Sequence, residues 1–149
     1  MQFDDVIHAF GEKTGMGSLA VDADGSVGLL FDGEHEITFT PDKEDHSVLF
    51  HAEVASASFL DRDACLKLLK ASLLGSQTGG AAFSVQEALG KVVLWKRHDD
   101  GFEDCSDFER AVNAFLSQVI FWKDSLKNPG TAGEGTESNR NVGFHGLSV

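Results

Sequence analysis

Any chemistry in this chain has to come from its acids, histidines and thiols. The densest stretch is VDADGSVGLLFDGEHEITFT, Val21 to Thr40, whose carboxylates invite a calcium reading. With Gly25 on the glycine position of a helix-loop-helix calcium loop, Asp22 and Asp24 fall on ligand positions. Ala20 then takes the first ligand position and Phe31 the place of the bidentate glutamate, so two required ligands are missing. Six histidines are scattered along the chain, and none repeats at zinc-protease spacing. His51 and Glu53 lie on one face of a strand, an arrangement that suits a general base with its orienting carboxylate and equally a solvated strand face. His98, Asp99 and Asp100 could hold a metal weakly at a strand exit. Cys65 and Cys105 have no second pair to complete a zinc site, and read as small buried or half-buried thiols in a reducing compartment. GEKTG ends a helix instead of opening one, and SQTGGAA lacks the Gly-Lys-Ser/Thr of a phosphate loop. No residue is assigned a catalytic or metal role, no cofactor is implied, and the chain is not expected to be an enzyme.

The elements behind these residues are legible from periodicity. Phe3, Val6, Ile7 and Phe10 form one apolar stripe, which predicts a helix over 2–13, with Asp4 and Asp5 in its first turn and Gly15 and Gly17 at its end. Asp24-Gly25 and Asp32-Gly33 are hairpin dipeptides, and Ile37 and Phe39 alternate with polar neighbours. This predicts a meander over 19–54, with an extra short strand at Leu19 to Asp22 and a last strand SVLFHAEVA. Asp61 caps a second helix whose Cys65, Leu66, Leu68, Leu69, Leu73 and Leu74 make a stripe wider than one core face requires. In a small domain that width suggests a second subunit. AAFSV and KVVLWKR read as a hairpin around Leu89-Gly90. Ser106 and Glu109 form a capping box, followed by Phe108, Val112, Phe115, Val119, Trp122 and Leu126 at helical spacing. The order is α-β-β-β-α-β-β-α, an α+β fold of three helices packed on a twisted antiparallel sheet. It occupies a single domain over 1–127. Residues 128–149, rich in Gly, Ser, Thr and Asn, are expected to be a flexible tail.

Bulk properties exclude several partners. The net charge is −12, with no basic patch, so nucleic acid and anionic membrane are disfavoured. The N-terminus lacks a basic region followed by an apolar run, and no stretch approaches a membrane span, so a cytoplasmic location is expected. Twelve Phe against no Tyr makes the aromatic content almost wholly apolar. The positive signal is therefore apolar surface on a small acidic chain, which points to protein partners.

LAVDADGSVGLLFDGEHEITFT, HSVLFHAEVA, DRDACLKLLKASLL, the Gly-rich link, KVVLWKR and FLSQVIFWKDSL, in this order, resemble the class I type III secretion chaperones, the Tir-chaperone (CesT-like) family. The resemblance covers about Phe3 to Leu126, and departs from the family pattern at SLLGS, the end of the second helix. It implies a bacterial cytoplasmic homodimer that binds the N-terminal chaperone-binding segment of a secreted effector and keeps it secretion-competent without ATP. It implies an effector surface at Phe3, Ile7, Phe10, Leu19, Val21, Leu29, Phe31, Ile37 and Phe39, and a dimer contact at Leu66, Leu69, Leu73 and Trp95. Two other readings remain open: a regulatory adaptor of the same fold that sequesters a secretion or transcription regulator, and a small-molecule-binding protein using His51 and Glu53.

Overall fold

The computed structural model describes residues 1–17 and 19–127, and the tail expected over 128–149 lies outside the described residues. The elements run α1 (Phe3–Thr14), β1 (Val27–Phe31), β2 (His35–Pro41), β3 (Val48–Ser56), α2 (Arg62–Ser72), β4 (Ala82–Gln86), β5 (Lys91–His98) and α3 (Cys105–Lys127), with short 3₁₀ turns at Ala57–Phe59, Leu73–Gly75 and Glu87–Leu89. This is the expected α+β order. The five strands form one sheet in the order β1-β2-β3-β5-β4, which leaves β1 and β4 as its edges.

The β1–β2 hairpin follows from Asp32-Gly33. Both residues adopt positive φ, 54° and 67°, and Glu34 N–H donates to Phe31 C=O at 3.1 Å. That turn sets the register, with Leu29 opposite Ile37 and Val27 opposite Phe39, so all four apolar side chains share one face. The strand expected at Leu19 to Asp22 does not form. Asp22 N–H donates to Ser26 C=O at 2.8 Å, and Ser26 N–H donates to the Asp24 carboxylate at 2.9 Å. These local bonds compete with a ladder, so the first Asp-Gly pair closes a turn into β1 and joins no second strand. The hydrogen bonds from Ser26, with Lys43 adding a smaller pull, hold the Asp24 carboxyl below the usual carboxylate range.

The described chain packs as two compact units. The first takes Met1–Ala52 and Lys96–Leu116; the second takes Glu53–Trp95 and the described residues from Ser117 to Lys127. In the first, Phe108 is fully buried among Phe10, Phe39, Phe50 and Phe102, with ring centroids 5.2, 5.3, 5.8 and 5.0 Å away. Aromatic pairs in edge or tilted geometry contribute beyond their buried area, so this cluster anchors α1 and the N-terminal part of α3 to the sheet. In the second, Phe83 packs on Trp122 at 5.0 Å, and Lys67 lies 5.9 Å from the Trp122 ring centroid.

Asp61 caps α2 as expected, its carboxylate accepting from Ala64 N–H at 2.8 Å. The cap of α3 lies two residues upstream of the expected Ser106–Glu109 box. Asp104 accepts from Asp107 N–H at 2.8 Å, and the Asp107 carboxylate reaches back to Glu103 N–H at 3.3 Å. Asp caps as well as Ser does, and Asp107 supplies the returning acceptor. Glu109 is instead ion-paired with Lys13.

Candidate functional site

The expected effector set divides sharply in the first unit. Ile7, Phe10, Leu29, Ile37 and Phe39 are buried in its core. Phe3, Leu19 and Phe31 are half-buried, and Val21 is 53% exposed. Sequence periodicity marks every apolar position on a face, and it does not say which of them the helices later cover. Alternation in β1 did contain a further exposed residue, Leu30, on the face opposite Leu29.

Phe3 and Val21 help line a cleft of about 580 Å³ between the start of α1, the 21–25 turn, the β2–β3 connection and the 100–102 turn. Val48 and Phe102 form its buried apolar floor. Asp4, Asp22, Asp42 and Asp100 stand exposed around it. Periodicity could not assemble these acids, because they come from four separate segments.

In the second unit, α2 buries Leu68 and Ala71 and turns Leu66 and Leu69 to solvent, and Leu73 at its C-cap follows them, the three being 41%, 69% and 66% exposed. Their i, i+3, i+7 spacing makes a continuous stripe. Leu74 follows at 96% exposure, with φ 52° and ψ 24°. The left-handed conformation costs a non-glycine residue roughly 1–2 kcal/mol, and among the described residues almost no packing of the Leu74 side chain offsets it. The chain can turn here because Gly75 approaches Gly80 closely: a Cβ on Gly75 would lie 2.4 Å from Gly80 Cα. Phe83 N–H donates to Ser72 Oγ at 3.1 Å, which ties the end of α2 to the edge strand β4. Val85 on β4 and Leu89 just beyond it are also largely exposed. Trp95 is half-buried, its indole N–H donating to Ser84 Oγ at 2.8 Å. Leu74 was visible in the helical stripe, but its outward turn depends on the backbone break at the helix end.

The residues considered for chemistry are engaged otherwise. Glu53 forms an ion pair with Lys91 at 2.8 Å. His51 is half-buried, and desolvation pushes its imidazole below the usual pKa. His98 packs in tilted geometry against Phe50 and Phe102, with centroids 4.5 and 5.2 Å away, and Asp99 pairs with Arg97 at 2.9 Å. Burial, reinforced by Lys96, lowers the His98 pKa against the opposing pull of Asp107 and Asp99. Among the described residues no three His, Cys, Asp or Glu side chains cluster to hold a metal ion. Cys105 is half-buried as expected, whereas Cys65 is exposed, since it lies on the solvent side of α2 beside Leu66 and Leu69. No helix among the described residues is long and apolar enough to cross a membrane.

The sequence matches the model of the Tir chaperone protein (CesT) family over residues 5–123. The chain belongs to this family. The match takes in every strand, α2 and most of α1 and α3, so this CesT-family chaperone carries the family domain over nearly all of its described length. Among curated proteins none matches the sequence closely. Solved structures show the same fold. A chain of the ExsC–ExsE complex is 23% identical, with a TM-score of 0.72 over 85% of this chain and 97% of that one. A chain of the HopA1–SchA chaperone–effector complex is 15% identical, with a TM-score of 0.69 over 82% and 93%. A chain of the heterodimeric ExoU–SpcU complex from the type III secretion system of Pseudomonas aeruginosa is 21% identical, with a TM-score of 0.60 over 80% and 93%.

Proposed function

We propose that this CesT-family protein is a type III secretion chaperone that binds the N-terminal chaperone-binding segment of a secreted effector as a homodimer and keeps it secretion-competent, without ATP. Family membership over residues 5–123 is the observation that carries this reading. Two structures of the same fold are described as complexes with effectors or secretion-system partners, HopA1–SchA and ExoU–SpcU. The surface is consistent with both contacts. Leu66, Leu69 and Leu73 form an apolar stripe suited to a second copy, and the family resemblance implies that half-buried Trp95 on β5 joins that contact. β1 is a sheet edge, and an extended client adds to such an edge through backbone hydrogen bonds while side-chain pockets select sequence. Phe3, Leu19, Val21 and Phe31 are the members of the expected effector set that have surface to offer. Ile7, Phe10, Leu29, Ile37 and Phe39 act from below, by holding the α1–sheet core rigid.

Native mass spectrometry of the protein isolated from its own host tests the proposal. The expected complex holds two copies of this chain and one copy of another protein's N-terminal region. A lone monomer with no protein bound would overturn it. Capture of an intact secretion or transcription regulator would replace it with the adaptor reading.

A further inference from the structure

We propose that the cleft of the first unit receives a client segment in which lysine or arginine flanks an apolar anchor, an inference that rests on the chaperone reading above. The cleft has two parts that ask for two different side chains. Phe102 and Val48 at its floor, with Phe3 and the exposed Val21 on its walls, leave an apolar recess for one side chain. Around that recess stand Asp4, Asp22, Asp42 and Asp100.

None of the four carboxylates takes part in an ion pair among the described residues. The basic groups of the lining are few. Lys43 also serves Asp24, and the Met1 amine donates to Phe102 C=O at 3.3 Å. The rim therefore carries a negative excess that no ion pair among the described residues neutralises. An anchor reaching the floor brings its neighbours in sequence to the rim, because successive residues of an extended segment advance only about 3.3 Å and alternate sides. Cations on those neighbours complement the rim, and carboxylates there meet four like charges. Exposed charges of this kind set specificity and association rate more than total affinity.

Two capped nonapeptides test this with the full-length protein: one with a central isoleucine flanked by arginines, the other with glutamates in their place. The arginine peptide is expected to bind about tenfold more tightly at low ionic strength, with the gap shrinking as salt screens the rim. Backbone amides at Asp4, Asp22 and Gly101 should shift in two-dimensional NMR spectra as it binds. The double substitution Asp4→Asn and Asp100→Asn should shrink the preference from both sides, weakening the arginine peptide and strengthening the glutamate peptide as like charges are removed from the rim. Equal affinity of the two peptides, or shifts confined to other surfaces, would overturn the proposal. So would cleft amides that move with protein concentration alone, which would assign the cleft to a second copy. Cleft amides that move in Arg140→Gln without peptide would assign it to the chain's own C-terminal segment, with the same consequence. A native client complex whose affinity ignores Asp4→Asn and Asp100→Asn sinks this inference and leaves the chaperone reading standing. A chain isolated without any client sinks the chaperone reading itself.

Discussion

Leu69 offers a sharp test of self-association because the monomer barely uses it. Its side chain is 69% exposed on the α2 stripe, between Leu66 and Leu73. Burying a leucine fully is worth about 1.5–3 kcal/mol, so the exposed share of Leu69 can contribute about 1–2 kcal/mol per copy at an interface. A twofold contact uses the residue twice. Leu69→Ala should therefore weaken a dimer by about 2–4 kcal/mol, or about 30- to 900-fold in Kd. The isolated fold should change by no more than about 0.5 kcal/mol, the usual range for a surface substitution away from caps and cores. Sedimentation equilibrium over a concentration series reads the first quantity, and urea unfolding of the dissociated chain reads the second. An Ala variant that self-associates within about threefold of the parent chain would refute the assignment of this stripe to the dimer. A large loss of monomer stability would refute the reasoning differently, by showing that Leu69 belongs to the fold.

Leu74→Asn should stabilise the monomer by up to about 1 kcal/mol, since Asn tolerates the left-handed conformation better; thermal unfolding checks this, and a lower melting temperature would contradict it. Phe108→Ala should cost about 3–5 kcal/mol in urea unfolding, because it removes the ring that Phe10, Phe39, Phe50 and Phe102 surround. His98 and His51 both titrate below their usual value, so the folded chain binds fewer protons than the unfolded one in that range and acid favours unfolding. Their contribution is intact above about pH 6.5, the unfolded value, and is lost as the pH falls below it. His98→Gln should flatten that decline in stability measurements between about pH 7 and pH 5, and an unaltered slope would show that the His98 imidazole is not responsible.

Local chemistry settled much of this protein in advance. Asp32-Gly33 had to turn, because both positions take positive φ at little cost, and the turn then dictated which β1 and β2 residues face each other. Asp61 had to cap a helix, and the spacing from Phe108 to Trp122 had to bury one stripe. Local patterns were weaker wherever two local solutions competed. Ser106–Glu109 reads as the cap of α3, and the hydrogen bonds instead place the cap at Asp104 and Asp107, two residues upstream. Leu19 to Asp22 has the composition of a strand, and the Asp24–Ser26 bonds drew it into a turn. What tertiary structure alone decided was exposure. Ile37 and Val21 are equally apolar as residue types, yet one is sealed beneath the helices and the other faces water. Leu68 and Leu69 are neighbours on one helix with opposite fates. Hydrophobicity specifies that a side chain gains by leaving water, and is indifferent to whether its own chain or a partner provides the cover. That choice belongs to the packing of elements distant in sequence, as does the gathering of Asp4, Asp22, Asp42 and Asp100 around one recess.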